Sequence, residues 1–246
     1  MPAPTCTIAH PAIRTIMADT DFGDADEAQI RVGARTGDIN IVATPTAPGL
    51  PGGVVVGADE LDRGRELFLY EEAAGRRWRV SSRSFFQSSP EAVDLLALQV
   101  RRRLGEIPSS ATVCDLYAGV GIFSGALAHE GRIVVVESSR SALADAAHNL
   151  ADLSPTLVRA SVERWTPVAA DVVVADPPRS GLGKRGVAVV DGTGADRVVL
   201  VSCDPAAFAR DARLLVDLGF VLSDATVLDL FPQTSHVEAV ASFVRR

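Results

Sequence analysis

Cys203 is the residue whose type and position first suggest chemistry. It follows the apolar run 198–201 and stands in the turn Ser202-Cys203-Asp204-Pro205, which lifts it off a strand end. A lone cysteine is usually a small buried hydrophobic residue, but at such a turn it can also be a nucleophile. A free thiol with a pKa of about 8.5 is only a few per cent thiolate at neutral pH, so a nucleophilic site is expected to favour the anion.

Glu238 is the second residue with a chemical use. It opens the last apolar strand, in Ser235-His236-Val237-Glu238. A carboxylate beside apolar neighbours can have its pKa raised into the range that suits proton abstraction. His236 could orient Glu238 or contact a bound base, and a surface histidine at a strand start is the alternative.

A glycine-rich turn predicts a bound nucleotide. Asp115-Leu-Tyr-Ala-Gly119-Val-Gly121 ends an apolar strand, and Glu137 stands at the tip of the next strand, where it can accept two ribose hydroxyls. The pattern also imitates a dinucleotide fingerprint, so NAD stays open. An acidic residue four positions before the first glycine, as in Asp115, is more typical of S-adenosylmethionine enzymes. A simple tight turn is the alternative.

A stiff turn follows a further apolar strand. Asp176-Pro177-Pro178 stands at the carboxyl edge of the predicted sheet, where ligands bind in open α/β folds. Two prolines restrict the backbone there. The turn is interpreted as part of the site, and a structural strand exit is the alternative.

The elements that must position these residues fall into two regions. Residues 29–44 and 67–82 each predict two strands around a glycine turn, and 88–105 predicts a helix that begins after Ser88 or Ser89. From residue 110 onward, buried strands alternate with amphipathic segments, which indicates a mostly parallel, doubly wound α/β sheet. The expected division is a β-rich region over 1–87 and an α/β domain over 88–246.

Composition restricts the class of protein. The chain has 246 residues, is 47% hydrophobic and 22% charged, and lacks a secretory leader or an apolar run of membrane-spanning length, so the cytoplasm is the expected location and no membrane partner is expected. Cys6, Cys114 and Cys203 are far apart and lack zinc-ligand spacing, so no disulfide framework or metal site is predicted. Cys114, inside a strand, is interpreted as core packing.

Net charge argues against a surface that grips nucleic acid everywhere. The formal charge is −7, whereas phosphate binding depends on Lys and Arg. Arginines nevertheless cluster, which suits planar hydrogen bonding to phosphate, although a solvated face is the simpler interpretation. The clusters are Arg76, Arg77, Arg79 and Arg83, and Arg101, Arg102 and Arg103.

Four motifs, in their order along the chain, resemble those of the RNA 5-methyluridine (uracil-C5) methyltransferase family, and the resemblance covers residues 80–246. The motifs are DLYAGVG, ADPPRSGLG, VSCDP and DLFPQTSHVEAV. The resemblance implies a Rossmann-like class I methyltransferase domain, S-adenosyl-L-methionine as cofactor and tRNA or rRNA as partner, with no obligate protein partner evident. It implies Cys203 as nucleophile and Glu238 as base. It implies cofactor binding by residues from several motifs: Gln87, Tyr117, Gly119, Gly121, Glu137 and Asp176.

The chain departs from the family pattern at several positions. Asp204 replaces the usual Asn and adds a negative charge beside the thiol, Ile122 replaces a polar residue, and Ser161 stands where an acidic contact is expected. Cys6 resembles the last of four iron–sulfur ligands, but the other three would precede Met1, and the family's RNA-binding β-barrel is not recognised. The chain is therefore expected to be a shortened form or a member that binds RNA through Arg-rich loops.

Three rival functions stay open. A cytosine-C5 methyltransferase shares the thiolate chemistry but carries its Cys after a Pro, which Cys203 lacks. An amino-group methyltransferase uses Asp-Pro-Pro-Tyr, and Arg179 occupies that Tyr position. A non-catalytic module that binds cofactor or RNA is favoured by the acidic charge and by Asp204.

Overall fold

A computed structural model describes residues 6–45, 55–231 and 233–246. Small elements precede residue 82: helix α1 (Pro11–Asp19), strands β1 (Glu27–Val32), β2 (Ile39–Thr44) and β3 (Val55–Gly57), helix α2 (Ala58–Asp62), and strands β4 (Phe68–Ala73) and β5 (Arg76–Ser81). The hairpins β1–β2 and β4–β5 are antiparallel, as the two glycine turns predicted. Helix α1 was not predicted, although Ile13, Ile16 and Met17 stand at helical spacing; none of its residues is buried.

The rest of the chain alternates strands and helices. They are α3 (Pro90–Leu104), β6 (Thr112–Leu116), α4 (Ile122–Leu127), β7 (Arg132–Glu137), α5 (Arg140–Asn149), β8 (Thr156–Arg159), a 3-10 helix (Val162–Arg164), β9 (Val172–Ala175), α6 (Gly183–Gly192), β10 (Arg197–Ser202), α7 (Pro205–Asp217), β11 (Phe220–Leu228) and β12 (Glu238–Arg245). Helix α3 begins after Ser89, whose side chain accepts from the Ala92 N–H, and ends at Gly105, which confirms the predicted helix.

These strands form a seven-stranded sheet in the order β11-β12-β10-β9-β6-β7-β8. The run from β10 to β8 is parallel, and β12 is antiparallel to both β10 and β11. The fold is therefore the predicted α/β Rossmann-like sheet. In such a sheet the carboxyl ends of parallel strands meet at one edge, where ligands bind.

Helices cover both faces of the sheet. Alternation along β9 sends Val172 and Val174 towards α3, and Val173 and Ala175 towards the opposite core. Cys114 is fully buried in that opposite core, as expected for packing. The β4–β5 hairpin takes part in a third cluster, in which Trp78 packs with residues of β7 and α5. The division into a β-rich region over 1–87 and an α/β domain over 88–246 stays a prediction. Within the described ranges, no helix is long and apolar enough to cross a membrane.

Candidate active site

The carboxyl edge of the sheet holds a cavity of about 640 Å³. Its walls come from the ends of β6, β7, β9 and β10, the start of β12 and the segment before α3. All the predicted site residues except Gly121 line it: Gln87, Tyr117, Gly119, Glu137, Asp176, Cys203 and Glu238. The fold therefore gathers residues that are up to 151 positions apart in sequence, well over half the chain.

Gly121 allows a backbone conformation that the turn needs, and it does not line the cavity. It precedes α4 with φ of +92°, and a Cβ there would lie 2.7 Å from Leu150 Cδ1. Gly119 differs, since its φ is +57° and a Cβ on it would meet no atom within 4 Å. Of the two glycines, only Gly119 leaves open space at the cavity.

Glu137 ties the glycine turn to helix α5. Its Oε2 accepts from Gly119 N at 2.9 Å, and its Oε1 accepts from Ser139 N at 2.6 Å. Its Oε1 also accepts from Ser138 Oγ at 3.2 Å, so Oε2 is the oxygen that keeps acceptor capacity for another donor. The predicted ribose contact is therefore compatible with these bonds.

Tyr117 is held by a residue that sequence reasoning missed. Its hydroxyl donates to Glu163 at 2.7 Å, and Ser161 Oγ donates to the same carboxylate. Burial and the Glu163 contact raise the pKa of Tyr117. Glu163 stands two positions after Ser161, in the 3-10 helix, and it does not line the cavity itself.

Asp115 holds strand β6 to helix α4 next to the site. It is buried, and its Oδ2 accepts from Ser124 N at 3.0 Å and from Ser124 Oγ at 2.7 Å, which joins β6 to α4. Burial raises its pKa to about 6. Its second oxygen, Oδ1, has no hydrogen-bond partner among the described residues.

Cys203 stands half-buried between β10 and α7. Burial raises the pKa of its thiol, the carboxyls of Glu238 and Asp176 raise it further, and Arg179 opposes them. Burial and the two carboxyls therefore oppose the thiolate in the chain without cofactor, and the expectation that the working site favours the anion stays a prediction. Asp204 is not responsible, since its side chain accepts from Ala207 N at 2.7 Å and caps α7.

Glu238 and Asp176 form an acidic pair. Burial raises the pKa of Glu238 to about 7, the direction that its apolar neighbours predicted. Burial and then the charge of Glu238 raise the pKa of Asp176 to about 8. Glu238 is 5% exposed, and its Oε2 has no partner within the described ranges. Near neutral pH this pair can hold and release a proton, which suits general acid–base chemistry.

His236 lines the cavity beside Phe231, whose ring it meets edge-on with centroids 6.3 Å apart. Thr234 shapes this turn: its Oγ1 donates to Phe231 O at 2.7 Å and accepts from His236 N at 3.1 Å. No hydrogen bond joins His236 to Glu238 in the described part of the chain. Contact with a ligand stays a prediction for His236, and its exposed side chain also agrees with the surface alternative. Pro232, to which a part in this turn was also assigned, lies outside the described residues.

Most arginines of the two sequence clusters are occupied within the protein. Arg76 bonds Asp152, Arg79 bonds Asp145, and Arg103 bonds Asp224. Their neighbours Arg77 and Arg83 contact the Tyr70 ring and Asp62. Arg76, Arg79 and Arg103 therefore fasten the fold, whereas the other four arginines are exposed, in agreement with a solvated face: Arg77, Arg83, Arg101 and Arg102.

The chain is similar in sequence to RNA methyltransferases. Residues 159–246 match the family model described as tRNA (Uracil-5-)-methyltransferase. The chain is 40% identical over 184 residues to an RNA methyltransferase of Streptomyces coelicolor, covering 71% of this chain and 40% of that protein. It is 36% identical over 186 residues to one of Halalkalibacterium halodurans, covering 72% and 40%. The chain thus spans well under half the length of these relatives.

Solved structures show the same fold. The Pyrococcus abyssi tRNA (uracil-54, C5)-methyltransferase, in complex with S-adenosyl-L-homocysteine, superposes with a TM-score of 0.72 at 25% identity, covering 87% of this chain and 58% of that one. M. jannaschii TYW2 in complex with AdoMet has a TM-score of 0.52 at 17% identity, covering 74% and 89%. The second likeness shows the fold alone.

Proposed function

Over its catalytic part the chain belongs with the RNA uracil-5 methyltransferases, and on that premise we propose that it transfers a methyl group from S-adenosylmethionine to carbon 5 of a uridine in tRNA or rRNA. The observation that carries the proposal is that Cys203, Glu238 and Asp176 share one cavity with the glycine turn and Glu137. As part of this proposal, we assign residues 88–246 to the methyltransferase domain and residues 1–87 to a β-rich region.

The residues present fit the cofactor. Glu137 keeps acceptor capacity for ribose hydroxyls, Gly119 leaves open space, and Gln87 supplies an amide to the same cavity. When bound, S-adenosylmethionine supplies a transferable methyl group and a positive sulfonium charge. Asp176 and Glu238 favour a cation in this cavity when they are ionised, and a nearby positive charge lowers the pKa of a thiol. The raised pKa of Cys203 in the ligand-free chain is therefore compatible with a nucleophile.

Cys203 and Glu238 have complementary roles in this proposal. Carbon 5 of uracil is too weak a nucleophile to be methylated directly. Addition of the Cys203 thiolate to carbon 6 gives an enolate whose carbon 5 accepts the methyl group. Glu238 then removes the proton from carbon 5, the bond from sulfur to carbon 6 breaks, and the thiolate leaves. A carboxyl whose pKa is about 7 is well matched to this proton transfer.

Basic residues around the cavity support RNA as the substrate. Arg179 lines the cavity, and four more exposed cations lie at or after the carboxyl ends of β7, β8 and β9: Arg140, Arg159, Lys184 and Arg185. None of the five has an ion pair or hydrogen bond with the described residues. Phe85 lines the same cavity and is 70% exposed. Free cations bind phosphate, and an exposed ring can stack on a base that has been flipped out of its helix.

Covalent trapping tests the proposal. RNA transcripts that contain 5-fluorouridine, prepared separately as tRNA and as rRNA fragments, are incubated with S-adenosylmethionine and the protein. Fluorine at carbon 5 cannot be removed as a proton, so the adduct to Cys203 is expected to persist in denaturing gels. Cys203→Ala should lose both trapping and methylation, whereas Cys6→Ala should keep both. Methylation of uridine by Cys203→Ala at the normal rate would overturn the covalent mechanism.

Glu238→Gln separates the two roles on unmodified RNA. We expect it to form the adduct and to release it slowly, because the proton on carbon 5 has no acceptor. Rapid release with normal turnover would show that Glu238 is not the base.

A binding module is the second candidate, favoured by the raised pKa of Cys203. It predicts binding of S-adenosylhomocysteine, or of RNA, without any trapping on 5-fluorouridine. A methyltransferase that acts on another base predicts methyl transfer to RNA with no 5-methyluridine in the nucleoside digest.

A further inference from the structure

One wall of the cavity is a short irregular segment, residues 82–88, which leads from β5 to the start of α3. We call it the wall segment. It forms neither helix nor strand, yet it brings several side chains to the cavity, listed from its first to its last: Arg83, Phe85, Phe86, Gln87 and Ser88. A segment without its own backbone ladder needs external bonds to hold such side chains in place.

Ser84 supplies those bonds. It is 1% exposed, and its Oγ lies 2.6 Å from Asp145 Oδ2 and 2.9 Å from Ser141 Oγ. Its carbonyl oxygen also accepts from Arg31 Nη1 at 2.5 Å. The middle of the wall segment is thus fixed to helix α5 on one side and to strand β1 on the other.

Asp145 is the centre of this arrangement. Its side chain is fully buried, and both oxygens are used. Oδ1 accepts from Arg79 Nε at 2.9 Å and from Ser81 Oγ at 2.7 Å, while Oδ2 accepts from Ser81 N at 2.8 Å and from Ser84 Oγ. One carboxylate therefore holds the end of β5 and the wall segment to α5.

Asn149 extends the connection to the opposite wall. One helical turn after Asp145, its Oδ1 accepts from Arg79 N at 2.7 Å, and its Nδ2 donates to Val120 O at 3.1 Å. Val120 lies in the glycine turn and lines the cavity. One face of α5 thus fixes the wall segment and the glycine turn relative to each other.

From these contacts we propose that Ser84 and Asp145 are positioning residues, which hold the wall segment where Gln87 reaches a bound adenosyl ligand. The inference rests on the proposed function, because it assumes that the ligand is S-adenosylmethionine or its product. Neither Ser84 nor Asp145 lines the cavity, so both act through the wall segment. A purely structural role would lower stability and leave ligand affinity unchanged.

The test compares Ser84→Ala with Ser81→Ala. Each variant removes a hydroxyl that bonds Asp145, but only Ser84 lies in the wall segment. Binding of S-adenosylhomocysteine is measured by calorimetry and Tm by thermal unfolding. We expect Ser84→Ala to weaken binding about threefold to tenfold, the equivalent of one hydrogen bond, and Ser81→Ala to stay within about twofold. The two variants should have similar Tm values, because each removes one hydrogen bond to Asp145.

Limited proteolysis gives a readout that needs no ligand. Trypsin cleavage after Arg83 should be faster in Ser84→Ala than in Ser81→Ala, because the wall segment opens more often. Equal affinity and equal cleavage in the two variants would overturn the inference. If the wild type fails to bind S-adenosylhomocysteine, the proposed function fails, and the cleavage rates alone then decide whether Ser84 anchors the segment.

Discussion

Replacing Glu238 by Gln should stabilise the ligand-free chain, and more so at higher pH. The carboxyl is buried, its Oε2 has no partner among the described residues, and burial raises its pKa from 4.5 to about 7. Glu238 therefore keeps its proton to a higher pH in the folded chain than in the unfolded chain. Below the unfolded pKa this group costs nothing, and the cost appears as pH rises towards the folded pKa.

The magnitude follows from the two pKa values. At about 1.36 kcal/mol per unit, the raised pKa of Glu238 lowers the free energy of unfolding by about 3 kcal/mol above pH 8 and by about 1 kcal/mol near pH 5.5. Gln carries no charge at either pH. The stability difference between Glu238→Gln and the wild type should thus grow by about 2 kcal/mol over this range. Relief of the repulsion on Asp176 acts in the same direction.

Urea denaturation near pH 5.5 and pH 8.5 measures this difference. The exposed Glu130→Gln is the matched control, and its effect should stay within about 0.5 kcal/mol at both pH values. A Glu238→Gln effect that is equal at the two pH values would refute the burial of an ionisable carboxyl at this site. So would a loss of stability at pH 8.5.

Three further outcomes follow from other contacts. Asp145→Asn leaves the Arg79 charge without its carboxylate and should lower the free energy of unfolding by about 3–5 kcal/mol in urea denaturation, whereas the exposed Asp152→Asn should cost at most about 1 kcal/mol. Gly125→Ala places a Cβ 2.4 Å from the Trp78 ring and should cost about 1–3 kcal/mol, with altered tryptophan fluorescence. Asp176→Asn should increase the rate at which iodoacetamide alkylates the Cys203 thiol, measured on the Cys203 peptide by mass spectrometry. Asp204→Asn, which keeps the α7 cap, should leave that rate unchanged. Equal rates in these two variants would contradict Asp176 as a source of the raised pKa of Cys203.

Local signals carried much of the fold. The β4–β5 hairpin and helix α3 could be predicted because glycine turns, Ser89 and Gly105 act within a few residues of sequence. The mostly parallel arrangement of the sheet could also be predicted from the sequence, since buried strands that alternate with helices have few other arrangements. Helix α1 was missed, although Pro11 in its first turn and the helical spacing of Ile13 and Ile16 are signals for it.

The chemistry of the site depends on distances that no local signal encodes. Sequence proximity pointed to Asp204 as the charge that disturbs Cys203, but a helix N-terminus turns that carboxylate to a cap. The carboxyls that do raise the pKa of the thiol, Glu238 and Asp176, are 35 and 27 positions away in sequence and reach it only because β9, β10 and β12 are neighbours in the sheet. Strand order, and not sequence spacing, therefore sets the electrostatics of the nucleophile. Glu163 likewise lies 46 positions from Tyr117 in sequence and reaches it from the 3-10 helix that follows β8.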